Sequence, residues 1–249
     1  MLITFPNMGN VCLAVKVLLD GMQVPFVMPE PSNKETLRLG ALHSPDEICL
    51  PFKIMMGNYL NCIEKGADTI LLVGSCGPCR FGEYCELQMK ILKRLNYDLE
   101  FIVIESPAAI GMDEFKRRVG RIASASSLKT SEKFKALKYA CQAMSLMDRI
   151  EARAHYLAGY EANAGQCKRL LRECREKALA AHSSKEMIDI LRKYYDTLGR
   201  IPLDESKNPL KIAIIGEIYT MVEPFTNLYI EEKLMDYGVS TRRMITPTW

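Results

Sequence analysis

The stretch Ile70–Cys85, ILLVGSCGPCRFGEYC, decides how the rest of the chain is read. Its apolar run, Ile70 to Val73, stops at Gly74. A short continuous apolar run closed by a turn residue predicts a strand buried on both faces, as in a parallel sheet. Cys76, Cys79 and Cys85 follow directly. Open α/β sheets bind their ligands just beyond the carboxyl ends of such strands. Thiols are therefore delivered to the place where this architecture puts chemistry. Cys49 lies upstream, in ICLPFK.

Towards the N-terminus, Leu2–Phe5 predicts a strand and Pro6–Asn10 a turn. Val11, Val15, Leu18 and Leu19 then recur at helical spacing, and Val24–Met28 predicts a second strand. Pro29–Pro45 reads as a polar loop. From Phe52 to Glu64 the pattern is helical, which puts Cys49 immediately before a helix N-terminus. The partial positive charge there stabilises a thiolate, and Lys53 would add to it. Beyond the cysteines, Tyr84–Leu95 predicts a helix and Phe101–Ile104 a strand. Alternation of this kind gives an α/β fold, a parallel doubly wound (flavodoxin-like) N-terminal domain over residues 1–110.

Residues 111–200 show no strand pattern and keep helical spacing, with Thr130-Ser131 and Ser183-Ser184 as helix starts. A proline-containing linker follows. Residues 209–249 predict a strand at Lys211–Gly216, a helix at Asn227–Tyr237 and a further strand at Val239–Ile245. So short a segment reads as the start of a second α/β domain, and the chain as a fragment of a longer protein.

Composition bounds the rest. Of 249 residues, 48% are apolar and 25% charged, which is globular. A net charge of +3 gives no reason to expect nucleic acid. No apolar run approaches the roughly 18 residues needed to span a bilayer, so no membrane is expected. The N-terminus lacks the features of a signal peptide, which points to the cytoplasm. In that compartment nine cysteines suggest metal or redox chemistry over disulfides.

Iron–sulfur clusters are held by Cys thiolates. Cys49, Cys76 and Cys79 are the candidate ligands; Cys85 fits a buried thiol better. A zinc ribbon would need a second C-x2-C pair, and none is present. A thioredoxin-type dithiol at Cys76 and Cys79 is the plainer alternative. Cys12, Cys62, Cys141, Cys167 and Cys174 fall inside predicted helices and read as small buried hydrophobes. His43, His155 and His182 read as ordinary helix or surface residues. The polar segment GEIYTMVEPFTN, Gly216–Asn227, either caps the following helix or faces the cysteines. Neither G-x-x-x-x-G-K-[ST] nor G-x-G-x-x-G occurs, so nucleotide binding is unsupported.

ICLPFK, LLVGSCGPCRFGEY and IIGEIYTMVEPFTNLYIEEKL resemble, in this order, segments of the 2-hydroxyacyl-CoA dehydratase superfamily. The branch they resemble is that of uncharacterised proteins related to CoA-enzyme activases. The resemblance implies a [4Fe–4S] cluster, with Cys49 as its first cysteine and Cys76 or Cys79 as its second. It implies an ATP-dependent activase as partner, delivering one low-potential electron under anaerobic conditions, and a homo- or hetero-dimer. The function implied is an electron-accepting reductase or dehydratase-like component. The alternatives are a zinc- or thiol-based structural module and a non-catalytic scaffold that docks an activase. The family's further cysteine lies in the second α/β domain, beyond the part present here.

Overall fold

The computed structural model describes residues 1–74 and 80–248. The chain starts with β1 (Ile3–Thr4), α1 (Asn10–Met22), α2 (Lys34–Leu42), α3 (Leu50–Glu64) and β2 (Thr69–Val73). A 3-10 turn, Arg80–Glu83, leads into α4 (Tyr84–Arg94) and β3 (Glu100–Ile104). Helices α5 (Pro107–Ile110), α6 (Met112–Ser124), α7 (Thr130–Leu157), α8 (Gln166–Ala180) and α9 (Ser184–Leu198) follow. The chain closes with β4 (Lys211–Ile214), α10 (Ile218–Val222), α11 (Ile230–Asp236) and β5 (Ser240–Arg243). The fold is a mixture of helices and small parallel sheets.

Two compact units form. The first holds Met1–Asn7 and Met22–Lys133, the second Met8–Gly21 and Phe134–Trp249. Helix α1 thus leaves the strand that precedes it and joins the second unit.

In the first unit, β2 is central between β1 and β3, and both pairings are parallel. Its register with β3 runs from Thr69 opposite Glu100 to Val73 opposite Ile104. Thr69, Ile70, Leu71 and Leu72 are all buried, as an apolar strand covered on both faces must be. The predicted strand Val24–Met28 reduces to a single parallel bridge between Phe26 and Ile3. Pro25 and Pro29 have no amide hydrogen to give, which shortens the ladder. What survives is Ile3 N–H donating to the Pro25 carbonyl at 3.1 Å and Val27 N–H donating to the Ile3 carbonyl at 2.8 Å.

The segment expected to be a polar loop contains α2. Its start is a capping box: the Asn33 side chain accepts from the amides of Glu35 and Thr36, and the Thr36 hydroxyl accepts from the Asn33 amide. Helix α3 begins as predicted, with Cys49 as an extended N-cap and Pro51 in the first turn, where its missing N–H costs nothing. Ten of its residues are buried, Phe52, Met55, Met56 and Tyr59 among them. Helices α2 and α3 meet backbone to backbone. A Cβ on Gly40 would lie 1.7 Å from the Lys53 carbonyl oxygen, and one on Gly57 would lie 1.9 Å from that of Thr36.

In the second unit the core joins Leu13 and Val17 of α1, Ala143, Met147 and Ile150 of α7, Leu171 and Cys174 of α8, and Ile188 and Leu191 of α9. Helix α9 is capped by the Ser183 hydroxyl, which accepts from the Glu186 amide at 3.2 Å. Strands β4 and β5 form a two-stranded parallel sheet, with Lys211 opposite Ser240.

Candidate functional site

Cys49 stands in the first unit at the N-terminus of α3, half-buried, just before the first-turn amides that have no partner within the helix. Its Sγ lies 2.5 Å from the Tyr84 hydroxyl. Tyr84, the first residue of α4, is buried. Phe52 of α3 meets its ring edge-on, with centroids 5.2 Å apart, and Phe81 of the 3-10 turn packs on it at 5.1 Å. One aromatic cluster therefore ties the start of α3 to the chain that emerges from the cysteine segment. Lys53 does not stand free beside the thiol, because its ammonium donates to the Asp46 carbonyl at 2.9 Å.

Gly74 and Arg80 flank the cysteine segment. Gly74 N–H donates to the Ile104 carbonyl at 2.9 Å, and a Cβ there would come within 2.8 Å of the Val103 side chain and 2.6 Å of that of Glu105. Only glycine fits so close to β3. Arg80 opens the turn on the other side. Cys76 and Cys79 lie outside the described residues.

Cys85 is a different kind of thiol. Burial pushes its titration up, and the carboxylates of Glu105, Glu83 and Glu86 push the same way, against one backbone donor. Such surroundings favour the neutral thiol, a poor ligand. Burial likewise raises Cys62 and Cys167, and Cys174 is raised to about 12. These three, with Cys12, are buried, as the sequence implied; Cys141 is exposed on α7, contrary to that reading. Among the described residues no group of three or more His, Cys, Asp or Glu side chains is placed to hold a metal ion.

The segment 216–227 resolves into caps. The Glu217 carboxylate accepts from the amides of Tyr219 and Thr220, both at 3.0 Å, at the start of α10. Glu223 is buried and accepts from the Gly9 amide at 3.2 Å. Asn227 donates to the Thr220 carbonyl at 2.9 Å.

Sequence reasoning missed a buried charge network in the second unit. Asn10 donates to Asp148 at 3.0 Å and to Glu151 at 2.8 Å. Arg175 donates to the other oxygen of Glu151 at 2.5 Å, and Arg243 pairs with both Glu151 and Glu231. Thr248 donates to Asp148 from its amide and its hydroxyl, at 3.0 and 2.6 Å. Burial pushes Glu231 upward, but His155 and Arg243 outweigh it and hold the carboxyl at about 2. Glu151 is lowered in the same way: the nearby guanidiniums of Arg175 and Arg243 overcome its desolvation. Asp148, with no guanidinium of its own, is raised by burial. Asp148, Glu151 and His155 recur at helical spacing on α7, a signal that could have marked one shared face.

A family model described as the CoA enzyme activase uncharacterised domain matches residues 7–245. The chain belongs to that family. Its CoA enzyme activase-related domain therefore takes in nearly all of both units, with the α3 N-terminus and all of the charge network but Thr248. No curated protein and no solved structure matches the chain. Among the described residues, no helix is long and apolar enough to cross a membrane.

Proposed function

We propose that this CoA enzyme activase-related domain is an iron–sulfur component, resembling those of the 2-hydroxyacyl-CoA dehydratase superfamily. It accepts electrons from an ATP-dependent activase in the cytoplasm. Cys49 and one or both of Cys76 and Cys79 hold a [4Fe–4S] cluster. The observation that carries this reading is the 2.5 Å approach of Cys49 to Tyr84. Tyr84 begins the helix that follows the cysteine segment, and Cys79 is one peptide bond from Arg80, which opens the intervening turn. Cys49 and the chain beyond the cysteine segment thus meet where α3 and α4 begin.

The residues present fit such a group in kind. Cys49 stands at a helix N-terminus, where the amide dipoles favour bound negative charge. The Tyr84 hydroxyl is placed to donate to that sulfur, and donors to ligand sulfurs tune a cluster's potential. The cluster, when bound, supplies one-electron transfer. The protein's own share is to hold the sulfur of Cys49 against α3 and to shield it with the rings of Phe52, Phe81 and Tyr84. The sheet supports the same reading. With Phe26 bridged to β1, its order by chain position is second, first, third, fourth, the order of a flavodoxin-like doubly wound domain. Family membership supports an activase as partner.

The test is iron and acid-labile sulfide content on protein purified without oxygen. Equal, stoichiometric iron and sulfide that fall away in Cys49→Ser and in a Cys76→Ser/Cys79→Ser double variant would bear the proposal out. Zinc without sulfide, or iron unaffected by these variants, would refute it.

A further inference from the structure

Two edge strands of this chain are treated differently. In the first unit β3 is an edge strand. Its even-numbered residues turn towards β2, since the Ile104 carbonyl accepts from Gly74. The carbonyls of Phe101 and Val103 therefore point outwards, and α6 covers both. Arg121 donates to Phe101 at 3.2 Å and Arg118 donates to Val103 at 2.9 Å. Charged side chains laid on an edge keep the strands of other molecules from pairing with it.

The edge of β4 has no such cover. Among the described residues β4 pairs with β5 alone. The carbonyls of Leu210 and Ile214 accept from Ser240 and Met244 at 2.9 and 3.2 Å, so the even-numbered residues face β5. The amides and carbonyls of Lys211, Ala213 and Ile215 face away, and nothing among the described residues pairs with them. All three residues are exposed, even Ala213, whose side chain is one methyl group. Ile215 is 77% exposed, and Leu210 and Ile218 are exposed to either side of it in sequence. A bare apolar edge on a sheet of two strands is a site for a further strand.

We infer that a second copy of this chain pairs here, β4 against β4, antiparallel about a two-fold axis at Ala213. In that arrangement the edge complements itself. Ala213 exchanges both backbone hydrogen bonds with its own copy, and Lys211 exchanges both with the partner's Ile215. A parallel pairing about a two-fold would set each N–H against its own copy. Pro209, with no N–H to give, falls just outside the ladder. Charge fits the same register. Lys211 meets the Tyr160 hydroxyl and makes no ion pair among the described residues. In the pair it lies diagonally across from the partner's Glu217, which follows β4 with extended backbone, φ −70° and ψ 145°. Diagonal neighbours across two strands are about 7–8 Å apart, within reach of a lysine. The two Lys211 side chains stand at opposite ends of the ladder, about 14 Å apart along the strand, beyond the screening length of about 8 Å at physiological salt. Pairing makes one continuous sheet from both copies and removes the bare edge from each. It does not depend on a cluster.

The test is sedimentation equilibrium of the whole 249-residue chain over a range of concentrations. The expected mass rises from 28.2 kDa towards twice that value. Ile215→Lys sets a lysine directly opposite the partner's Lys211, twice by symmetry, and should weaken the pair about tenfold or more. The double variant Lys211→Glu/Ile215→Lys sets opposite charges at the same positions and should restore it, a recovery specific to this register. Both positions are exposed, so the melting temperature should be kept. Amide exchange needs no variant and decides the question should either variant fold poorly. Ala213 and Ile215 should be protected at high concentration and lose that protection on dilution. A mass of 28.2 kDa at every concentration up to about 100 µM, a dimer indifferent to Ile215→Lys, or one that the double variant fails to restore would overturn the inference.

Discussion

Gly57→Ala is the sharpest test of how α3 is held. Alanine is worth about 1 kcal/mol more than glycine in a helix interior, so propensity alone predicts a stabilised protein. The structure predicts the opposite. The new Cβ would lie 1.9 Å from the Thr36 carbonyl oxygen and 3.0 Å from the Thr36 methyl. An ordinary contact begins at 3.4 Å, so 3.4 minus 1.9 leaves 1.5 Å that α2 and α3 must move apart. Both atoms at the closest approach are held by helical backbone and neither can swing away. Overpacking of a tight contact costs about 1–3 kcal/mol, sometimes more, and a backbone clash of this size belongs at the upper end. Less the propensity gain, the net loss is about 2 kcal/mol, or roughly 4–8 °C in melting temperature for a chain of this size. Urea denaturation followed by circular dichroism measures it. Because α3 carries Cys49 at its start, the rate of Cys49 alkylation should change in the same variant. An unchanged or raised midpoint would refute the close approach and the reasoning built on it.

Two further outcomes concern the second unit. Glu151→Ala leaves Arg175 and Arg243 without their shared carboxylate; removing one partner of a buried ionic group costs about 3–5 kcal/mol, and denaturant unfolding should show a loss of that order. The acid limb of stability is the other. Glu231 titrates at about 2 in the fold against its ordinary 4.5, so its contribution is complete above pH 4.5 and is lost as pH falls towards 2. Asp148, raised by burial, has the opposite sign and relieves part of that loss as it protonates. Glu231→Gln should therefore flatten the fall in stability across this window, measured by denaturation at a series of pH values; an identical slope in both proteins would count against the pairing of Glu231 with Arg243 and His155.

The parts of the fold legible in the sequence were those whose signal is local. The apolar runs of β2, β3 and β4 are strands, though only β2 is buried on both sides, and Pro51 and Ser183 mark helix starts by chemistry that acts within one turn. Helix α2 was hidden because Lys34–Arg38 carries little apolar periodicity; the Asn33–Thr36 box was its one cue. Val24–Met28 had the composition of a strand, but the flanking prolines removed the donors a ladder needs. The helical spacing of Val11, Val15, Leu18 and Leu19 marked α1 as a helix, but not the face with Leu13 and Val17 that enters the core, nor which core that is. At the candidate site, Cys49 was legible because a cysteine before a proline-started helix announces its position. Tyr84 was not, since nothing in the spacing of residues 49 and 84 states that they touch. The charge network was invisible for the same reason. Its members lie on α1, α7, α8, α11 and β5, and each taken alone reads as part of a solvated face.

The thread of the chain between the two units governs the order in which they can be finished during synthesis. The polypeptide passes between them after Asn7, after Gly21 and after Lys133. Leu13 and Val17 emerge from the ribosome early, yet the residues that cover them on α7, α8 and α9 arrive only after the whole sheet of the first unit has been made. An apolar helix must therefore wait uncovered, spliced between two pieces of a unit that is already assembling. A cut after Lys133 would leave the first unit whole with α1 stranded on it, and the second unit without the helix that closes its core.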